Sequence, residues 1–145
     1  MAVKYLSFPS KRAYGVELEV SSVGVDKKSI ANVIKNVDKS HNARAFNGWT
    51  INTDNEDWFV KDDSSCGFEI VSYKAKGYKD LINISKVANA INDYGAVVTN
   101  DCGYHIHVEV RDFSKSQIAN LVATWMKIEP IIANALPAHR ICNKY

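Results

Sequence analysis

The sequence predicts an α+β fold, with helices covering one face of a mostly antiparallel sheet. Three observations predict it. Residues 13–22, AYGVELEVSS, alternate apolar and polar without a break. Short strand-like runs at 48–53, 57–62 and 68–73 are joined by turn-forming residues, not by helices. Amphipathic helical stretches stand before, between and after these strand runs.

The elements follow in order. Tyr14, Val16, Leu18 and Val20 fall on one side of the first strand, and Gly15, Glu17, Glu19 and Ser21 on the other. Asp26 is placed to cap a helix reaching about Val37, with Ile30, Val33, Ile34 and Val37 on its apolar stripe. Residues 38–47 are polar and read as a loop. GWTINT (48–53) and DWFVKD (57–62) flank a turn, and FEIVSY (68–73) follows the loop DSSCG. Residues 78–94 carry Leu81, Ile84, Val87, Ala88 and Ile91 at helical spacing, and Gly95 is a natural stop. AVVT (96–99) reads as a short strand or a lead-in. GYHIHVEVR (103–111) is the strongest strand. Ser114 then caps a helix over about 115–135, with Ile118, Leu121, Val122, Trp125, Ile128 and Ile132 expected inward. Pro130 predicts a kink or break in it.

At 145 residues the expectation is a single domain, 1–145. The composition is 46% hydrophobic and 23% charged, ordinary for a packed domain. A net charge of +2 with scattered basic residues gives no pull toward nucleic acid or anionic membrane. No run is apolar and long enough to span a bilayer, and the N-terminus lacks a signal-peptide core. Cys66, Cys102 and Cys142 form no CxxC pair, so a reducing cytoplasm is the expected compartment. The letters Asn83-Ile84-Ser85 match a glycosylation site but lie within a helical stretch.

The chemistry concentrates on the polar strand face. Residues i and i+2 of a strand point the same way, about 6.6 Å apart. That pairs Glu17 with Glu19 and aligns His105, His107 and Glu109, while Glu69 can join from the fourth run. Two readings stand on spacing alone. These can be solvated outward positions. Alternatively, carboxylates and imidazoles converge on a divalent cation, which removes the repulsion between like charges on neighbouring strands. Oxygen ligands outnumber soft ones, which favours magnesium or manganese over a zinc site built on Cys102, His105 and His107. No GxxxxGKS, GxxxxGKT or GxGxxG stretch is present, so a nucleotide would be held through metal and basic side chains.

Three stretches taken together resemble a known family. YGVELEV (14–20), WFVKDDSSCGFEIVS (58–72) and CGYHIHVEV (102–110) are similar, in order, to the core motifs of the amidoligases of phages and bacteria. These are carboxylate–amine ligases related to glutamine synthetase and glutamate–cysteine ligase. The tail PAHRICNKY (137–145) resembles the family's Pro-x-x-Arg segment. The resemblance implies a glutamine-synthetase-like core and joining of a carboxylate to an amine through an acyl phosphate, with ATP and Mg2+ or Mn2+. It implies that Glu17, Glu19, Glu69, His105 and His107 serve catalysis and metal binding. Arg140 would bind phosphate or the substrate carboxylate. Asp63 with Ser65, or Asp62 with Ser64, would fill the Asp-x-Ser element. Lys61, Lys74 and Lys76 are the lysines placed to meet a nucleotide, Lys61 foremost. The expected partners are small-molecule or peptide acids and amines, in the cytoplasm of a bacterial or phage-infected cell. Longer relatives carry a further C-terminal helical segment, so the chain is expected to be a minimal version, a gene fragment, or a domain whose site a second copy or partner segment completes. A metal-dependent hydrolase and a non-catalytic binding or phage accessory protein are the competing readings.

Overall fold

A computed structural model describes residues 12–48 and 56–138. The candidate strand 48–53, apart from Gly48, and the tail with Arg140 and Cys142 lie outside the described residues. The chain divides into two compact units, Met1–Val108 and Glu109–Tyr145.

The first unit is built on β1 (Ala13–Ser21). Asp26 caps α1 (Lys27–Val37) as expected, its carboxylate accepting from the N–H groups of Lys28 and Ser29. Then come β2 (Ala43–Ala45), β3 (Trp58–Asp63), β4 (Gly67–Val71), β5 (Ala75–Lys76), α2 (Gly77–Asp93) and β6 (Tyr104–Val108). The six strands form one mixed sheet. Every pairing is antiparallel except β2 with β3. Glu17 and Leu18 pair with both β4 and β6, and Tyr14 with both β5 and β6. So β6 holds one edge of β1, and β4 and β5 share the other.

The alternation of β1 sorts its side chains as expected. Val16 and Val20 are buried in a core with Ile30, Ile34, Trp58, Val60, Ile70, Ile84, Val87 and Ile91. α1 and α2 therefore supply the core on the Val16 face, which leaves Glu17 and Glu19 on the opposite one. α2 stops before Gly95, whose φ of +106° suits glycine.

Some expectations fail for local reasons. Residues 43–45 are a strand, not loop, because a parallel pairing with β3 recruits them. Residues 96–99 form no strand, although Val97 accepts a hydrogen bond from the Ser21 N–H at 2.8 Å. The run at 103–111 is strand only over Tyr104–Val108. The glycosylation match at Asn83 is discounted as expected, since the residue lies within α2. Its amide donates to Asp38 at 2.7 Å.

The second unit contains α3 (Lys115–Ala133). Ser114 and Gln117 form the expected reciprocal cap. The helix runs through Pro130 rather than breaking there. A proline removes one N–H, and only three residues of helix remain beyond it. The stripe expected inward is exposed, and no residue of α3 is buried. Among the described residues of this unit α3 is the one helix, with no second layer there to bury against. No described helix is long and apolar enough to cross a membrane.

The turn into β4 yields one prediction. Gly67 has φ of +131°, and a Cβ there would lie 2.5 Å from the Ser22 backbone nitrogen. Gly67→Ala should destabilise the protein by about 2–3 kcal/mol, because backbone cannot swing aside as a side chain can. Urea denaturation measures this, and an unchanged midpoint would contradict it.

Candidate active site

Partners in an antiparallel pair share a face, so the strand registers order the open face into rows. One row runs Phe59, Val71, Glu17, His105 across β3, β4, β1 and β6. The next runs Lys61, Glu69, Glu19. It ends at Gly103, whose carbonyl accepts from the Glu19 N–H at 3.2 Å. His107 pairs with Gly15, one row away on the other side. Residues 17, 69 and 105, far apart in sequence, thus meet by register.

Glu17 is the hub. Its Oε2 lies 3.1 Å from His105 Nδ1 and 3.0 Å from His107 Nε2. Ligand atoms of Glu17, Glu69 and His105 all fall within 4.8 Å of one another, close enough to share one cation. Glu69 is buried and paired with Lys61, itself largely shielded. Burial and a hydrogen bond shared with Glu17 push the Glu69 carboxyl up from its ordinary value, against the pull of Lys61. Glu17 moves the other way. Burial alone would raise it, but hydrogen bonds from Glu69, His107 and His105 outweigh burial and lower it.

Glu19 is held differently. Its carboxylate is 7% exposed. Oε2 accepts from the Gly103 N–H at 2.5 Å and the Cys66 thiol at 3.5 Å, and the Ser65 hydroxyl, which donates to Asp63 Oδ1 at 2.5 Å, lies 3.4 Å away. Oε1 faces His105 Nε2 at 3.6 Å. Glu19, Asp63 and Cys66 form a second group with ligand atoms within 4.8 Å. Burial, then the Cys102 thiol and the Glu19 charge, push the Cys66 pKa upward, so it stands as a thiol donor.

Of the two Asp-x-Ser registers, Asp63 and Ser65 share the turn beside Glu19. Asp63 Oδ1 accepts from the backbone N–H groups of Ser65 and Cys66 at 2.8 and 3.1 Å. Asp62 instead binds Lys27 Nζ of α1 at 2.6 Å. Ser64 is exposed in the turn. Lys76 pairs with Ala13, on the Glu17 face of β1 but four residues away. Glu109 lies past the end of β6, and its carboxylate takes the Arg111 guanidinium. Cys102 is buried, its sulfur accepting from the Thr99 N–H at 3.3 Å, as suits a small packed residue.

Sequence reasoning missed Gly103 and Cys66 as neighbours of Glu19. Gly103 carried a signal, standing two residues before His105 on the same face. Cys66 carried none, since a turn cysteine before glycine gives no direction for its sulfur.

This geometry stands beside a comparison with known proteins. No curated protein and no solved structure matches the chain. A family model described as "Putative amidoligase enzyme" matches residues 10–145, nearly the whole chain. The chain belongs to this amidoligase family.

Proposed function

We propose that this protein is an ATP-dependent carboxylate–amine ligase that forms an amide or peptide-type bond. The γ-phosphoryl group passes from ATP to a carboxylate oxygen, giving ADP and an acyl phosphate. The amine nitrogen attacks the acyl carbon, phosphate leaves with that oxygen, and the amine gives up a proton. The observation that carries the reading is the convergence of Glu17, Glu69 and His105 on one point of the polar sheet face.

The donor set fits Mg2+ or Mn2+. Two carboxylates this close repel unless a proton or a cation lies between them, and the upward shift of Glu69, due first to burial, carries a smaller contribution from the Glu17 charge. Glu17, Glu69 and His105 would hold the ion, with His107 and Glu19 at its margin. When bound, such a cation neutralises phosphate charge and holds the phosphate against the carboxylates. The side chains do the positioning. Lys61 fixes Glu69 and draws it toward ionisation, so its part is to orient a ligand more than to reach the nucleotide. The Asp63 turn fixes Ser65 and Cys66 against Glu19. Arg140 is assigned to phosphate or to the substrate carboxylate by its place in the tail motif.

The same reading takes the core as glutamine-synthetase-like. A mostly antiparallel sheet with carboxylates on the face opposite its core supports that. Its partners are small-molecule or peptide acids and amines, in the cytoplasm, with no part for nucleic acid or membrane. A second copy or a further segment would close the site and keep water from the acyl phosphate.

The reading is tested by following ADP across panels of acids and amines. ADP release that needs an acid and an amine together is the expected result. Turnover with Mn2+ or Zn2+ that ignores ATP would replace the ligase with a hydrolase.

A further inference from the structure

We infer that Gly103 is a positioning residue of the site, one whose lack of a side chain lets Glu19 and His105 meet. Its N–H donates to Glu19 Oε2 at 2.5 Å, and its carbonyl accepts from the Glu19 N–H at 3.2 Å. The backbone at 103 therefore grips Glu19 at both its main chain and its carboxylate. A Cβ at this position would lie 2.8 Å from His105 Nε2, 2.9 Å from Glu19 Oε1 and 3.1 Å from Glu19 Cδ. Those two side-chain ends are themselves only 3.6 Å apart. A methyl group would touch both at once, below ordinary carbon contact distance.

The consequence falls on the site more than on the fold. Gly103 has no positive φ, so alanine meets no backbone strain there. The atoms in the way are the ends of rotatable side chains. They swing apart, and the distance between the Glu19 carboxylate and the His105 imidazole grows. Gly15 is the matched control. It stands one strand away on the same face, paired with His107, yet a Cβ there meets nothing within 4 Å.

The inference rests on the metal-site reading only for its consequence, so the test separates the two. NMR of the full chain follows the His105 ring protons and the Glu19 carboxyl carbon in wild type, Gly103→Ala and Gly15→Ala. The expected result is displaced His105 and Glu19 resonances in Gly103→Ala and unmoved ones in Gly15→Ala. The His41 ring, hydrogen-bonded to Asp38, should stay put in both. Mn2+ titration of the same samples should show at least about tenfold weaker binding for Gly103→Ala alone. Unmoved His105 and Glu19 signals in Gly103→Ala would overturn the inference. If wild type binds no Mn2+, the metal reading falls, and the resonances still decide the role of Gly103. Should Gly103→Ala also lower the melting temperature, a His105→Ala background decides between causes. The loss shrinks there if the methyl acts through His105, and a loss of the same size would overturn the assignment.

Discussion

Glu17→Gln should weaken Mn2+ binding by about a hundredfold while leaving the fold intact. Glu17 is the hub of the cluster, in contact with both imidazoles and beside Glu69. An amide keeps the shape and one acceptor oxygen but carries no charge, so the pull on a cation drops sharply. The fold has little reason to suffer, because Glu17 is only half-buried and lies on the face opposite the core that buries Val16 and Val20. Removing a negative charge beside Glu69 relieves repulsion, so the Glu69 carboxyl should return toward its ordinary value. Electron paramagnetic resonance of free Mn2+ measures the binding, and thermal melting monitors the fold. A large fall in melting temperature would mean that Glu17 is a core residue satisfied by the histidines.

Asp38→Ala should destabilise the protein by about 3–4 kcal/mol, the largest single effect on stability expected here. The Asp38 carboxylate is buried where three elements meet. It accepts from the Trp58 indole at 2.8 Å, the Asn83 amide at 2.7 Å and the His41 ring at 2.9 Å. It also takes the backbone N–H groups of Ser40 and His41. It thereby ties the end of α1 to β3 and α2. Alanine would leave several of these donors without an acceptor, and each buried unsatisfied group costs about 1–3 kcal/mol. The melting temperature should fall by roughly 10 °C for a chain of this size. A change within a degree or two would show that water replaces the carboxylate without loss.

The same residue fixes the sign of a pH effect. Burial would raise the Asp38 pKa, but hydrogen bonds from Trp58, His41, Ser40 and Asn83 outweigh burial and hold it below its ordinary value. A folded pKa below the unfolded one adds stability that is complete above the unfolded value, about 3.9. That stability is lost as pH falls from there through the folded value. Acid unfolding below about pH 4 should therefore be less steep in Asp38→Asn than in wild type.

Local chemistry was legible in the sequence where one or two residues decide it. The caps at Asp26 and Ser114, the stop at Gly95 and the alternation of β1 needed no tertiary information. β2 needed it. Ala43–Ala45 is strand only because β3 lies beside it. Asp38 sits in a polar stretch that reads as loop, and its burial comes from Trp58 and Asn83, 20 and 45 residues away. The face of the site was legible for Glu17, Glu19 and the two histidines, since period-two alternation sets it. The register was not. That Glu17 meets His105, and that Lys61 meets Glu69, follows from which residues pair across strands, and alternation says nothing of that. The apolar stripe of α3 was read correctly as a stripe, but spacing does not say whether a partner layer covers it.

Calorimetric titration of the purified chain with a non-hydrolysable ATP analogue, with and without Mg2+, tests the central claim most directly. Binding that requires Mg2+ and disappears in Glu17→Gln is the expected result. No binding at millimolar analogue, or equal binding without Mg2+, would contradict it.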